Sequence, residues 1–436
     1  MVSLYFKRTN LKFALFQIFI HILERKEDGR IRLGNSQIMD FFHRYGLRKI
    51  LVYLLLIAVI TIIGYILLQG PATIGDKPDD FVGYWTAGKL IASQKNPYSQ
   101  ENFININRGM GFDVIVLLPV YYPPTVLPIL LPFGLISFPI SRYLWLILSI
   151  IGIFLSGFWI WRLYAGPENK RWIVFLCILT LAPSYFSLIE GQITFLILLG
   201  LVGFIYFIDE RKWFLAGMLL TILTIKFQLV YLIWVVVLIW MFDQKHWRLF
   251  FGLIFSTAFL MTISFIFQPS IISDYFALMI NDAPAQCGYV SLSAFFCAIS
   301  REGTRWLRYL PPVIGTIWVA IYYFKYKEYW IWKDKISLIL IVSLMTAPLT
   351  WMHDQLLFLI PVIEIVILMI GYGYDRRANW TIAFYLLINI VTFLMIPSSR
   401  TAQHYYLWMP VVFLILYLYS KRNFSPLKSK LLENQS

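Results

Sequence analysis

"EGQITFLILLGLVGFIYFIDERK", residues 190 to 212, decides what kind of molecule this is. Between a short polar turn and a charged cluster, the run from Ile193 to Ile208 carries no formal charge. Such a stretch approaches the ~20 residues that take a helix through a hydrocarbon core, where only a helix satisfies its own backbone. The pattern recurs along the chain. Twelve spans are expected: Ile50 to Leu68, Arg142 to Leu163, Trp172 to Leu188, Ile193 to Ile208, Trp213 to Ile225, Gln228 to Phe242, Leu249 to Phe267, Tyr309 to Phe324, Ile336 to Leu349, Gln355 to Tyr372, Trp380 to Ile396 and Tyr405 to Tyr419. The fifth and sixth are short, as if one broken pair turned inside the membrane at Lys226.

Composition agrees. Of 436 residues 59% are hydrophobic and 14% charged, with a mean hydropathy of +0.70, where an ordinary soluble domain carries about 25% charge. The fold class is therefore an all-α polytopic membrane protein, with no large soluble domain left over. A net charge of +14 could suggest nucleic acid, but the Lys and Arg lie between the apolar runs, where they report topology. Thirteen fall in the short connections around 162–171, 211–212, 245–248, 325–335 and 376–377, against Lys226 and Arg400 on the other side. The rich side is expected to be cytoplasmic, with both termini.

Residues 1–49 form a basic cytoplasmic segment, 50–420 the transmembrane domain and 421–436 a cytoplasmic tail. Lys7, Arg8 and Lys12 precede an apolar stretch from Leu11 to Leu23, but Glu24, Arg25 and Lys26 stand where a signal peptide would be cleaved. An interfacial helix is expected there, with a misplaced start codon as the alternative. Two long loops, 69–141 and 268–308, face outward. Within the first, residues 126–138 are apolar, too short to cross, and broken by Pro128 and Pro132, which suits a re-entrant or interface-lying segment. Cys287 and Cys297 share the second loop and could pair.

Site chemistry is sought on the outer side. "DKPDDFVGYW", residues 76 to 85, sets Asp76, Asp79 and Asp80 before an apolar helix, and capping uses only one carboxylate. On helical spacing Asp80, Tyr84 and Gly88 share a face, so a carboxylate would look across a phenol and bare backbone. "NPY", Asn96 to Tyr98, and "YYPP", Tyr121 to Pro124, read as stiffened turns holding tyrosines. Glu190 to Gln192 form the whole connection between two spans, and His353, Asp354 and Gln355 open another, where an N-cap is the plain reading. Lys226, between two short spans, is costly in lipid unless it meets water or an anion, and Glu364 is a second such oddity.

"DFVGYWTAGKLIASQKNPYS", "YYPPTVLPILLPF", "EGQITFLILLGL", "LAGMLLTILTIKFQ" and "APLTWMHDQLLFLIP", in that order over residues 79 to 361, resemble glycosyltransferase family 87. The chain departs from that pattern in "QCGYVSLSAFF", residues 286 to 296, and in the single histidine of "WMHDQ". The resemblance implies a GT-C type membrane fold and a polyprenyl-phosphate-mannose-dependent mannosyltransferase. It makes Asp80 the catalytic carboxylate, with Asp79 as the fallback, and sets Gln192, Lys226 and His353 around the donor headgroup.

Elementary chemistry points the same way. An outer site has no nucleotide sugars, so the donor must be a lipid-linked sugar that has crossed the membrane. Transfer needs one general base for the acceptor hydroxyl, a task for Asp80, and cations for the leaving phosphate, tasks for Lys226 and His353. A phosphate leaves as a stabilised anion, so no second carboxylic acid is required. Tyr84, Tyr98 and Tyr122 offer apolar faces with hydroxyl tips to a sugar ring. The expected outcome is inversion, from a β-linked donor to an α-linked product.

A Mg or Ca site at Asp76, Asp79 and Asp80 ranks lower for lack of ligand spacing, so no metal and no cofactor beyond the lipid-linked co-substrate is expected. The expected partners are polyprenyl-phosphate sugar, a glycolipid or glycan acceptor and membrane lipids, not nucleic acid. The expected location is the bacterial inner membrane. The rival readings are a transporter or flippase, which would call for pseudo-symmetric halves not seen in the sequence, and a related enzyme using another lipid-linked sugar.

Overall fold

The computed structural model describes residues 79–111, 120–281, 290–300, 302–373, 375–395 and 406–424, all inside the compact unit Val59–Ser436. The basic segment 1–49, the expected span Ile50 to Leu68, Asp76, Cys287 and the tail beyond Phe424 lie outside them.

Among the described residues every regular element is helical. The described part of the loop 69–141 folds into α1 (Asp80–Ala92), α2 (Gln100–Gly109), a 3₁₀ turn (Pro124–Val126) and α3 (Leu127–Gly134). The Asp79 carboxylate caps α1 by accepting from the Val82 amide at 3.3 Å, and the Ser99 hydroxyl caps α2 in the same way. Then follow α4 (Phe138–Leu163), α5 (Ile173–Thr180), α6 (Ala182–Ile189), α7 (Thr194–Asp209), α8 (Trp213–Leu223), α9 (Tyr231–Asp243) and α10 (Trp247–Phe267). The loop 268–308 carries α11 (Ile271–Asn281) and α12 (Leu292–Ile299). Last come α13 (Leu310–Tyr326), α14 (Trp332–Thr346), a 3₁₀ turn (Met352–Phe358) leading into α15 (Leu359–Tyr372), α16 (Arg376–Leu394) and α17 (Trp408–Phe424).

Eleven of the expected spans thus correspond to helices, but not all are full crossings. Phe138–Leu163, Trp247–Phe267, Met352–Tyr372 and Arg376–Leu394 are long and apolar enough to traverse a bilayer alone. A fifth is a bent pair. The expected span Trp172 to Leu188 breaks at Leu181 with a 64° bend, because Pro183 in the first turn of α6 removes an amide and crowds the preceding turn. The freed Ala182 amide donates to the Asn389 side chain of α16 at 2.8 Å. The other helices are shorter: α7, for example, has 16 residues and α8 only 11.

The two classes of connection gather at opposite ends of these helices. At the basic end, ion pairs tie them together: Arg162 with Glu210 at 3.5 Å, Lys333 with Asp209 at 3.0 Å and Lys327 with Asp243 at 3.5 Å. Toward the same end the buried Glu364 meets Lys421 at 2.5 Å and accepts from Tyr417 at 3.4 Å, so it fastens α17 to α15. The connections around residues 122, 190, 226, 290 and 350 meet at the far end.

Against expectation, the bare backbone of Gly88 is not open to a ligand. A Cβ there would collide with the Leu130 carbonyl, and one on Gly134 would strike the backbone at Gly88. The two glycines allow α1 and α3 to cross at backbone contact, the usual use of small residues between helices. The short apolar segment is therefore packed on α1, with Leu127 and Leu130 fully buried.

Candidate active site

The turn at residues 190–192 is held from three sides. Gly191 adopts φ +62°, and a Cβ there would lie 2.8 Å from Phe81 Cβ, so only glycine lets the turn lie flat on the start of α1. The Asp80 amide donates to the Glu190 carbonyl at 3.1 Å, and Trp145 Nε1 to the Gly191 carbonyl at 2.7 Å. Arg142, at the start of α4, bonds Asp79 at 2.6 Å through Nε and the Ile189 and Leu188 carbonyls at 2.9 and 3.3 Å through Nη2. Asp79 is thus engaged twice, as cap and as ion-pair partner. Asp80 is the exposed acid beside it.

Gln192, held by that turn, starts a buried chain of hydrogen bonds. Its Oε1 accepts from Tyr84 at 3.3 Å and from Lys226 Nζ at 2.9 Å. Tyr84 also meets the Tyr122 hydroxyl at 3.2 Å. Lys226, in the turn between α8 and the 3₁₀ residues Phe227–Leu229, also donates to Asp354 Oδ1 at 2.7 Å and Thr194 Oγ1 at 3.2 Å. Asp354 accepts from Thr194 at 2.8 Å, while its other oxygen takes the Trp351 amide at 2.9 Å. The carboxylate caps its own helical turn and neutralises the buried ammonium at once. An ion pair this deeply buried is tolerated only when further hydrogen bonds complete it, as here.

His353 is buried beside this pair, its Nε2 3.7 Å from Asp354 Oδ1 and its ring parallel to Trp351. Tyr98 is placed differently. Its hydroxyl donates to the Tyr122 carbonyl at 2.9 Å and its ring packs on Tyr275, so it braces the tyrosine turn from behind. The loop 268–308 is fastened to the same region by the Val290 amide on the Thr350 carbonyl and the Thr350 hydroxyl on the Val290 carbonyl, both 2.8 Å. Cys297 in that loop is disulfide-bonded, whereas Cys177 is free.

Crowding by protein pushes the Asp80 carboxyl up to about 7, with Glu190, Asp79 and Asp354 adding to the push and Lys226 opposing it. Water at the exposed carboxylate screens part of this, but the direction is that of a base that titrates near neutrality. Burial likewise raises Tyr84 and Tyr122, which therefore remain hydroxyl donors at neutral pH. Among the described residues no three His, Cys, Asp or Glu side chains converge to hold a metal ion.

The structure brings Asp80, Tyr84, Tyr122, Gln192, Lys226 and His353 to one end of the molecule, ties Asp79 to Arg142 and sets Tyr98 behind the site. Arg142, Thr194 and Asp354 were not among the expected site residues. Gln355, next to Asp354, is fully buried with both amide atoms unpartnered. Replacing Arg142 with Gln should loosen the turn, so that amide exchange at residues 190–192 rises. Arg142→Lys keeps the Asp79 pair with fewer carbonyl bonds and should lie between. Wild-type exchange in Arg142→Gln would remove this role.

A model of glycosyltransferase family 87 matches residues 121–397. The match includes Tyr122, Gln192, Lys226 and His353 and begins after α1, which carries Asp80. Comparison with curated proteins and with solved structures gave no match.

Proposed function

The chain belongs to glycosyltransferase family 87, and from that premise we propose that it transfers a hexose, mannose, from a polyprenyl-phosphate donor to an acceptor hydroxyl outside the membrane. The family makes it a membrane glycosyltransferase. The donor, the sugar and the base are our reading: the sugar rests on the family resemblance alone, and one observation supports a phosphate-linked donor and the base, namely that a buried ammonium, Lys226, lies at the same end of the molecule as the exposed carboxylate of Asp80. A site that needs one base and one phosphate-binding cation has both within a single constellation.

In this reading Asp80 takes the proton of the acceptor hydroxyl as its oxygen attacks the anomeric carbon. The bond from that carbon to the phosphate oxygen breaks on the opposite face, and the phosphate leaves with its electron pair. Lys226 stabilises the departing charge by turning one N–H from Gln192 or Thr194 to a phosphate oxygen, and its low-dielectric setting strengthens that contact. His353 and Gln192 border the headgroup, while Tyr84 and Tyr122 present ring faces and hydroxyls to the sugar. Tyr98 acts through Tyr122 as a positioning residue. A single displacement inverts the anomeric centre, so a β-linked donor gives an α-linked product. The segment 126–138 would guide the prenyl chain, and the acceptor is a glycolipid or glycan.

We further read the chain as a twelve-span GT-C protein of the bacterial inner membrane, with its basic end cytoplasmic and no metal or cofactor required. The disulfide at Cys297, at the end away from the basic connections, supports an oxidising outer side.

The test is a donor panel: purified protein in lipid nanodiscs, an extract of native acceptors, and labelled polyprenyl-phosphate mannose, glucose or arabinose beside a nucleotide sugar. The expected result is transfer from the mannose lipid. Transfer from the nucleotide sugar, or from no lipid donor, would refute the reading.

A further inference from the structure

At the end of α8 remote from Lys226 lies a second constellation that the transfer chemistry does not use. A cavity of about 230 Å³ is lined by Arg211, Lys212, Trp213, Phe214, Leu215 and Arg248. Two of its three cations come from the connection entering α8 and the third, Arg248, from the first turn of α10, and all three are exposed. Glu210, the nearest acid in sequence, is occupied by Arg162 at 3.5 Å and approaches Lys212 only to 3.9 Å. Among the described residues no carboxylate pairs with Arg211 or Arg248. Three like charges around one hollow repel one another unless an anion joins them. Trp213 is held rigid against His246, ring centroids 4.4 Å apart, so the wall is preformed.

What lies below the cavity identifies the anion. Phe214, Phe251 and Phe255 are exposed at 39, 60 and 54%, and the Phe214 and Phe255 rings pack 5.8 Å apart. These outward rings belong to α8 and α10, and α10 is one of the helices able to cross a bilayer. The hollow therefore sits where a basic rim meets a lipid-facing aromatic wall. A soluble anion would use the rim and leave the wall unexplained; a phosphate carrying acyl chains uses both.

We propose that this cavity binds the phosphate headgroup of an anionic phospholipid from the bilayer leaflet on the chain's basic side, with the acyl chains along Phe214, Phe251 and Phe255. The headgroup phosphate bridges Arg211 and Arg248, with Lys212 at the rim. Its occupancy ties the start of α8 to the start of α10. Because α8 is only 11 residues long, about 16 Å at helical rise, the bound lipid steadies the short helix whose other end leads to Lys226.

The test uses the full chain in detergent micelles doped with equal amounts of phosphatidylglycerol and phosphatidylcholine, the retained lipids being counted by native mass spectrometry. Wild type should retain phosphatidylglycerol in preference. Arg211→Asn/Arg248→Gln should lower that retention about tenfold and Arg248→Gln alone by less, with phosphatidylcholine counts unchanged. Lys170→Gln/Arg171→Gln, on another basic connection, should retain phosphatidylglycerol as wild type does. Equal retention of both lipids by wild type, unchanged preference in the double variant, an equal loss in the Lys170/Arg171 pair, or displacement of the lipid by millimolar inorganic phosphate would each overturn the proposal.

Discussion

Lys226→Met should destabilise the folded protein and abolish most transfer together. The variant leaves Asp354, 1% exposed, as an unpaired buried carboxylate with only Thr194 and the Trp351 amide as donors. Removing one partner of a buried pair costs about 3–5 kcal/mol, which should appear as a clear drop in the thermal transition in detergent. Adding Asp354→Asn discharges the orphan and should recover most of that stability. It should not recover donor binding if the proposed contact of Lys226 with the donor phosphate holds, because a charge-assisted contact is worth about 1.5–3 kcal/mol, tenfold or more in affinity. The double variant thus separates folding from function. If it binds polyprenyl-phosphate sugar as wild type does, Lys226 is structural only.

The second large effect belongs to Asp80. Asp80→Asn removes the proposed base and should lower kcat by about 10²–10⁴-fold, the usual worth of positioned proton transfer. In the wild type the limb of kcat/KM should rise with pH toward about 7, where desolvation by the surrounding protein and the Glu190 charge push the carboxyl, less whatever water screens at its exposed side. The sign for stability is opposite. A folded pKa above the unfolded value of 3.8 means that this group's contribution is present below about pH 4 and is lost as pH rises through about 7. The base becomes competent over the interval in which its ionisation costs stability. A limb that stays in place in Asp80→Glu and Asp80→Asn alike would assign it to another group.

The helices were readable because their cause is local: uncharged runs of near-bilayer length form helices whatever surrounds them. The same locality exposed Lys226, since an ammonium between two apolar stretches is conspicuous in any alignment of charge with hydropathy. Pairings were not readable. Arg142 and Asp79 are 63 positions apart and Lys226 and Asp354 are 128 apart, and nothing in either local pattern points to the other. Asp354 was hidden by its own plausibility as a cap, a role that it also fills. Gly88 misled for the opposite reason: a missing side chain looks alike in sequence whether it exposes backbone to a ligand or to another helix. The bend at Leu181 could have been anticipated from Pro183, but the Asn389 side chain that accepts the freed amide lies 207 positions from Ala182.

A single-turnover experiment bears most directly on the proposed base. Wild type and Asp80→Asn are loaded with labelled polyprenyl-phosphate mannose, bound donor is quantified, and acceptor is added at pH 8. We expect equal loading, with rapid transfer by wild type and a rate at least about a hundredfold lower in the variant. Equal loading followed by wild-type transfer from Asp80→Asn would contradict the account.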